Sequence, residues 1–160
     1  MNENLIDSIN KYLIGYKFRK VSHERVPSNP PCDTIWVRRT WNTNRAVALI
    51  HLPENEIYLG NFCQKAKWKL LKKLWFFPVF YPLGLQLVIY GHSVLEKSSN
   101  ISSYVDKIDN QVVVLQGVFI IDTKANKYRS ARTWGQHVTG KLQDAISEGI
   151  KELYAYYEDA

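Results

Sequence analysis

Residues 74–91 read LWFFPVFYPLGLQLVIYG, a run of eighteen residues without a charged side chain. That length is enough for a helix to cross a bilayer. Pro78 and Pro82 argue against such a helix, because each proline removes a backbone donor and frees a carbonyl that a lipid-facing segment cannot satisfy. We therefore expect a proline-rich connection that leads into a buried strand over residues 84–90, and a membrane span is the alternative.

A lysine-rich segment, KAKWKLLKK, lies immediately before this run at residues 65–73. Its first six residues alternate lysine with apolar side chains, as a half-buried strand does. A helix from about Asn61 to Trp75 instead places four of the five lysines on one narrow face and the apolar residues on the opposite arc. The adjacent Leu70 and Leu71 break the alternation, so we expect the helix, in which only Lys67 lies off the lysine side.

The remaining segments predict an α+β fold. Apolar residues recur at helical spacing near both ends of the chain, over residues 5–16 and 142–157. Segments rich in β-branched and aromatic residues predict five strands, which are 34–41, 45–52, 84–90, 111–122 and 128–134. We expect a single domain, residues 1–160, with element order αββαβββα and a five-stranded antiparallel or mixed sheet that has its helices mainly on one face. Gly149 lies on the apolar side of the last helix, which predicts a close approach to the sheet.

Positive charge is concentrated in the middle of the chain. Residues 34–95 hold eight Lys and Arg against Glu54 and Glu56, and this excess of six equals the net charge of the whole chain. An uncompensated field of one sign attracts anionic partners. We expect a binding or adaptor module rather than an enzyme, with a binding surface made of Lys65, Lys67, Lys69, Lys72, Lys73, Arg38, Arg39, Arg45 and Trp68.

Three kinds of partner fit such a surface. Lysine and arginine bind the phosphates of nucleic acid, and an exposed tryptophan can stack on a base. An acidic protein surface is the second possibility, and an anionic membrane surface is the third. None of the three requires a cofactor.

A metal-dependent nuclease is the alternative from another class. Asp109, a spacer of twelve residues, and then Asp122 and Lys124 match a loose pattern in which two carboxylates hold Mg²⁺ and a lysine offsets phosphate charge. The predicted strand 111–122 separates the two acids by its whole length. At about 3.3 Å per residue they would lie too far apart to share a metal, unless the strand folds back at Gln116 and Gly117.

The cysteines and the amino-terminal residues favour a cytoplasmic protein. Cys32 and Cys63 form no C-x-x-C pair and have no histidine at zinc-ligand spacing, so we expect two free thiols in a reducing compartment. The first twenty residues have no continuous apolar segment of the kind that a signal peptide contains.

Overall fold

The computed structural model describes residues 2–22, 24, 26–29, 31–40, 44–74, 83–106, 113–132 and 136–157. Its α-helices are α1 (Asn2–Gly15), α2 (Leu59–Lys73) and α3 (Gln136–Lys151), and a 3₁₀-helix spans Ile101–Tyr104. Its strands are β1 (Arg19–Lys20), β2 (Cys32–Arg39), β3 (Asn44–His51), β4 (Leu83–Gly91), β5 (Val113–Asp122), β6 (Lys127–Arg132) and β7 (Ala155–Tyr156). The α+β class is as predicted.

The strands form one mixed sheet in which spatial order follows chain order, from β1 to β7. β1, β2 and β3 are antiparallel neighbours, β3, β4 and β5 run parallel, β6 is antiparallel to β5, and β7 is parallel to β6. The predicted count of five strands and the predicted element order are therefore wrong. They omit β1 and β7, and a strand of two residues has no periodicity that a sequence pattern could reveal.

The central strand β4 is buried along its whole length. On one face, Leu85, Leu87 and Ile89 pack with α2 and the 3₁₀-helix. On the other face, Val88 and Tyr90 pack with α1 and α3. A parallel strand of continuous apolar residues needs cover on both sides. The prediction that the helices gather mainly on one face holds in part, since α1 and α3 share one face and α2 covers the other.

Helices α1 and α3 approach each other closely at Gly149. A Cβ atom added there would lie 2.9 Å from Ile9 Cα and 3.1 Å from Ser8 O. A side chain of any size would push the two backbones apart. The predicted close approach at this glycine exists, but it is to helix α1 and not to the sheet.

Glu152, just beyond the end of α3, joins the same two helices through its carboxylate. Oε1 accepts hydrogen bonds from Lys11 Nζ at 2.8 Å and Tyr12 Oη at 2.7 Å, and Oε2 lies 2.8 Å from Ser8 Oγ. The bond from Lys11, followed by those from Tyr12 and Ser8, lowers the pKa of Glu152 from 4.5 to about 2. The carboxylate thus stabilises the contact between α1 and α3 while it is ionised.

Replacing Glu152 with glutamine should change the acid stability of the protein. The folded pKa lies below the ordinary value, so the stabilisation by Glu152 is complete above pH 4.5 and is lost as the pH falls towards 2. Denaturant unfolding across this range should show a smaller loss of stability in Glu152→Gln than in the wild type. Glu96→Gln, which changes an exposed carboxylate outside this cluster, is the control. Parallel pH profiles for the wild type and Glu152→Gln would contradict the assignment.

Candidate functional site

Helix α2 is the element that carries the lysines, and its existence over Leu59–Lys73 confirms the helical interpretation of this segment. Its inward side consists of buried apolar residues, which are Leu59, Phe62, Cys63, Ala66 and Leu70. Its outward side exposes four lysines, which we call the lysine face: Lys65, Lys69, Lys72 and Lys73. Amphipathic periodicity, with apolar residues three and four apart, accounts for this division.

The charges of the lysine face are not neutralised by nearby acids. Within the described residues, none of its four lysines forms an ion pair with a carboxylate. Lys72 and Lys73 lie in the last turn, where a helix favours cations. Lys65 and Lys69 lie before that turn, and like charges four residues apart repel by a few tenths of a kcal/mol. Helix α2 therefore does not stabilise the positive charges of Lys65 and Lys69.

Lys67 does not belong to the exposed surface. Its side chain is 3% exposed, and Nζ lies 2.9 Å from Oδ2 of Asp106, which is 10% exposed. The same carboxylate accepts hydrogen bonds from the Leu115 amide at 2.7 Å and from Gln64 Nε2 at 3.3 Å. The pair ties α2 to the segment before β5. Lys67 is thus a structural lysine, which explains its place off the lysine face in the helical pattern.

Substituting Lys67 tests this structural role. Lys67→Met removes one partner of a buried pair and leaves the Asp106 charge uncompensated, so the free energy of unfolding should fall by about 3–5 kcal/mol. Lys69→Met, on the exposed side of the same helix, should change it by less than about 0.5 kcal/mol. Equal unfolding free energies for the two variants in urea would contradict a buried ion pair at Lys67.

Trp68 lies among the lysines of the outer face and is 49% exposed. Lys72 follows it by four residues and Lys65 precedes it by three, so both lie beside it on the helix surface. The Lys67 ammonium lies 5.2 Å from the centre of its ring. A large exposed aromatic ring within a cationic surface is available to a partner that has flat rings of its own.

The three predicted arginines lie on different faces of the sheet. Side chains alternate along a strand, and Val37 packs on the α2 side while Trp36 packs on the side of α1 and α3. Arg39 therefore shares a face with α2. Arg38 and, by the same parity from Val47, Arg45 lie on the opposite face. The structure thus brings Arg39 to the α2 side and places Arg38 and Arg45 on the opposite face of the sheet.

A groove of about 1350 Å³ connects the end of α2 with the β1 edge of the sheet. Its walls include residues 17–22, 37–40, 73 and 74, together with Glu24. Six cationic side chains of the described residues line it: Lys17, Arg19, Lys20, Arg38, Arg39 and Lys73. Lys73 belongs to both the groove and the lysine face, so the two form a continuous basic surface.

Three of these cations, Lys17, Arg19 and Lys20, were missed by the sequence analysis. The net charge of residues 1–33 does not reveal them, because this segment also contains four acidic residues. Pairing of β1 with Trp36 and Val37 places them next to Arg38 and Arg39. The available signal was the short cluster KFRK at residues 17–20.

The residues of the nuclease alternative have other roles or lie outside the description. Asp122 is 3% exposed, and its carboxylate accepts hydrogen bonds from the backbone amides of Ser93, Leu95, Lys124 and Ala125. Lys124 lies in the turn after β5, and Asp109 falls outside the described residues. Within the described part of the chain, no group of three or more His, Cys, Asp or Glu side chains is arranged to hold a metal ion.

A second, smaller cleft of about 370 Å³ lies where the parallel strands β3 and β4 end. The Tyr90 hydroxyl donates a hydrogen bond to the Asp33 carboxylate, and the His51 ring lies 5.1 Å from the Tyr90 ring. The Thr123 hydroxyl lies 3.1 Å from Gly91 O and 3.2 Å from His92 Nδ1.

Both cysteines are free thiols. Burial raises the pKa of Cys32 and of Cys63 to about 12. The thiolate is the nucleophilic form, so neither residue is suited to attack a substrate at neutral pH.

The charge-free run of residues 74–91 ends in β4, as predicted, and residues 75–82 lie outside the description. No helix in the described ranges combines the length and the apolar character that crossing a bilayer requires. In comparisons with known proteins, the chain matches no family model, no curated protein and no solved structure.

Proposed function

We propose that this protein is a binding module for single-stranded nucleic acid, which it holds along the lysine face and the adjoining groove. The observation that carries the proposal is the continuity of the two surfaces through Lys73, with no carboxylate of the described residues paired to the lysines. A chain of phosphates would relieve the repulsion among these cations and release its own condensed counterions.

The shape of the basic surface supports an elongated anion. From Lys65 to Lys73 the helix rises by about 12 Å, at 1.5 Å per residue. The groove then extends the row of cations to the edge of the sheet. Lysines contact phosphates as point charges and carry no base specificity, so binding of this kind tolerates many sequences.

Trp68 favours nucleic acid over an acidic protein. Its exposed ring lies between lysines, which is the combination of stacking platform and cationic groove that binds single strands. An acidic protein surface needs the lysines but offers fewer flat rings to stack on. We place this activity in the cytoplasm, which the two free thiols support.

Reversing charge on the lysine face is the main test. Lys65→Glu with Lys69→Glu should weaken binding of a fluorescent single-stranded oligonucleotide by at least about tenfold, and should reduce the slope of log K against log salt by about 0.7 for each lost phosphate contact. The matched control reverses two exposed lysines elsewhere, Lys124→Glu with Lys141→Glu. The control has the same net charge, and it should keep the affinity within about threefold.

The outcomes separate the three partner classes. Equal losses in both double variants would show that only net charge matters and would contradict a defined surface. Vesicles rich in anionic lipid, or an acidic polypeptide, bound more tightly than the oligonucleotide at equal salt would replace nucleic acid with that partner. Failure to bind all three would remove the proposal.

Trp68 provides a separate prediction. Trp68→Ala should lose about 1–3 kcal/mol of binding free energy for the oligonucleotide, because one stacked base is lost. Trp68→Phe should recover part of that loss, since it keeps a flat ring. Tyr58→Ala removes another exposed aromatic ring, at the amino end of α2, and should have little effect. Anisotropy titrations of the three variants decide between stacking and a purely electrostatic contact.

A further inference from the structure

Arg38 and Arg45 lie directly opposite each other on β2 and β3. Both side chains are half-buried, on the face of the sheet that α1 and α3 cover. Opposite positions on neighbouring strands bring the side chains to about 5 Å at Cβ, and like charges there are destabilising. Among the described residues, no ion pair with a carboxylate offsets either guanidinium.

The repulsion within this pair affects the pKa of Arg45. Burial lowers the pKa of Arg45, and the positive charge of Arg38 lowers it further. An arginine remains charged at neutral pH under such a shift. Two half-buried positive charges therefore stand side by side on a sheet face whose centre is apolar.

Beyond the arginine pair, glutamine side chains extend the polar part of this sheet face onto strands β4 and β5. Arg45 is paired with Gly84 on β4, and a Cβ atom at Gly84 would lie 2.5 Å from Gln116 Oε1, so the Gln116 amide covers the glycine. A register shift between β4 and β5 leaves Gln116 without a partner in the ladder. The bulge thus places an amide over Gly84, the residue that is paired with Arg45.

Gln86 follows Gly84 by one pleat on the same face and is fully buried. Its Oε1 accepts a hydrogen bond from Gln143 Nε2 at 3.3 Å, and the same amide nitrogen donates to Gln116 O at 3.0 Å. Among the residues that the structure describes, Gln86 Nε2 and Gln116 Oε1 have no hydrogen-bond partner. An unsatisfied buried polar group costs about 1–3 kcal/mol. One donor and one acceptor of these glutamines therefore lack a partner, and the acceptor lies over Gly84, the residue paired with Arg45.

We propose that Arg38, Arg45, Gln86 and Gln116 bind the phosphate group of a small phosphorylated ligand that also carries a hydroxyl. The two guanidinium groups match the charge of a phosphate dianion and donate to its oxygens in pairs. Gln86 Nε2 supplies a further donor. Gln116 Oε1 accepts from the hydroxyl of the ligand. A carboxylate would neutralise only one of the two arginines, so phosphate suits the site better.

The lysine face lies on the outer side of α2, and the arginine pair lies on the opposite face of the sheet. The two proposals share one residue, Arg38, which also lines the groove, whereas Arg45 is not among the described residues that line it. The inference therefore does not depend on the lysine face, and Arg45 is the position whose variants distinguish the two proposals.

Thermal unfolding with inorganic phosphate tests the site. At equal ionic strength, saturating phosphate should raise the Tm of the wild type by at least about 3 °C relative to chloride. Arg45→Met keeps the aliphatic stem and removes the guanidinium, so it should lose most of that rise. Arg38→Met should behave in the same way, and Arg45→Lys should retain part of it.

Two controls exclude a general stabilising effect of phosphate and a contribution from the lysine face. Phosphate also stabilises proteins by exclusion from their surface, and that effect would appear equally in Arg45→Met. Lys65→Glu with Lys69→Glu should keep the full phosphate response while it loses the oligonucleotide. An equal response in the wild type and both methionine variants, or no response in the wild type, would overturn the site. Loss of the response in the lysine double variant would assign phosphate to the lysine face instead.

Discussion

Strand β4 is buried on both of its faces, and this burial determines where the three helices pack. A strand with nine consecutive buried residues cannot lie against solvent on either side, so helices must cover both. Helix α2 packs on one side, and α1 and α3 pack on the other. Each covering helix turns its polar side outward, which is why the lysine face exists at all. The same constraint explains why a side chain as polar as Lys67 needs a partner beneath α2.

The two cores differ in how they treat polar groups. The core under α2 includes one buried ion pair, Lys67 with Asp106, in which the carboxylate also accepts a backbone amide. The core under α1 and α3 is lined by buried Gln86 and Gln143 and half-buried Gln116, and within the described residues Gln86 has an unused donor and Gln116 an unused acceptor. A buried ion pair whose hydrogen bonds are all made stabilises one structure. Buried glutamines with an unused donor or acceptor can still form hydrogen bonds to a ligand. This contrast is the reason that we assign Lys67 to the fold and the glutamine row to a ligand.

Much of the fold could be predicted from local patterns, and the positions of charges could not. Helix α2 followed from the break in alternation at Leu70 and Leu71, and β4 followed from the prolines before an apolar run. The separation of Arg38 from Arg39 depends on strand parity, which neighbours in space determine. Asp122 resembled a metal ligand in sequence, but four backbone amides occupy its oxygens. Pairings of this kind join residues far apart in the chain, and no local pattern contains them.

The sheet ends on each side in a strand of only two exposed residues, Arg19–Lys20 at one edge and Ala155–Tyr156 at the other. Such short margins present few free amides and carbonyls to another chain, and the positive charge of the first margin repels a second copy. Strand addition directly onto β1 or β7 is therefore disfavoured.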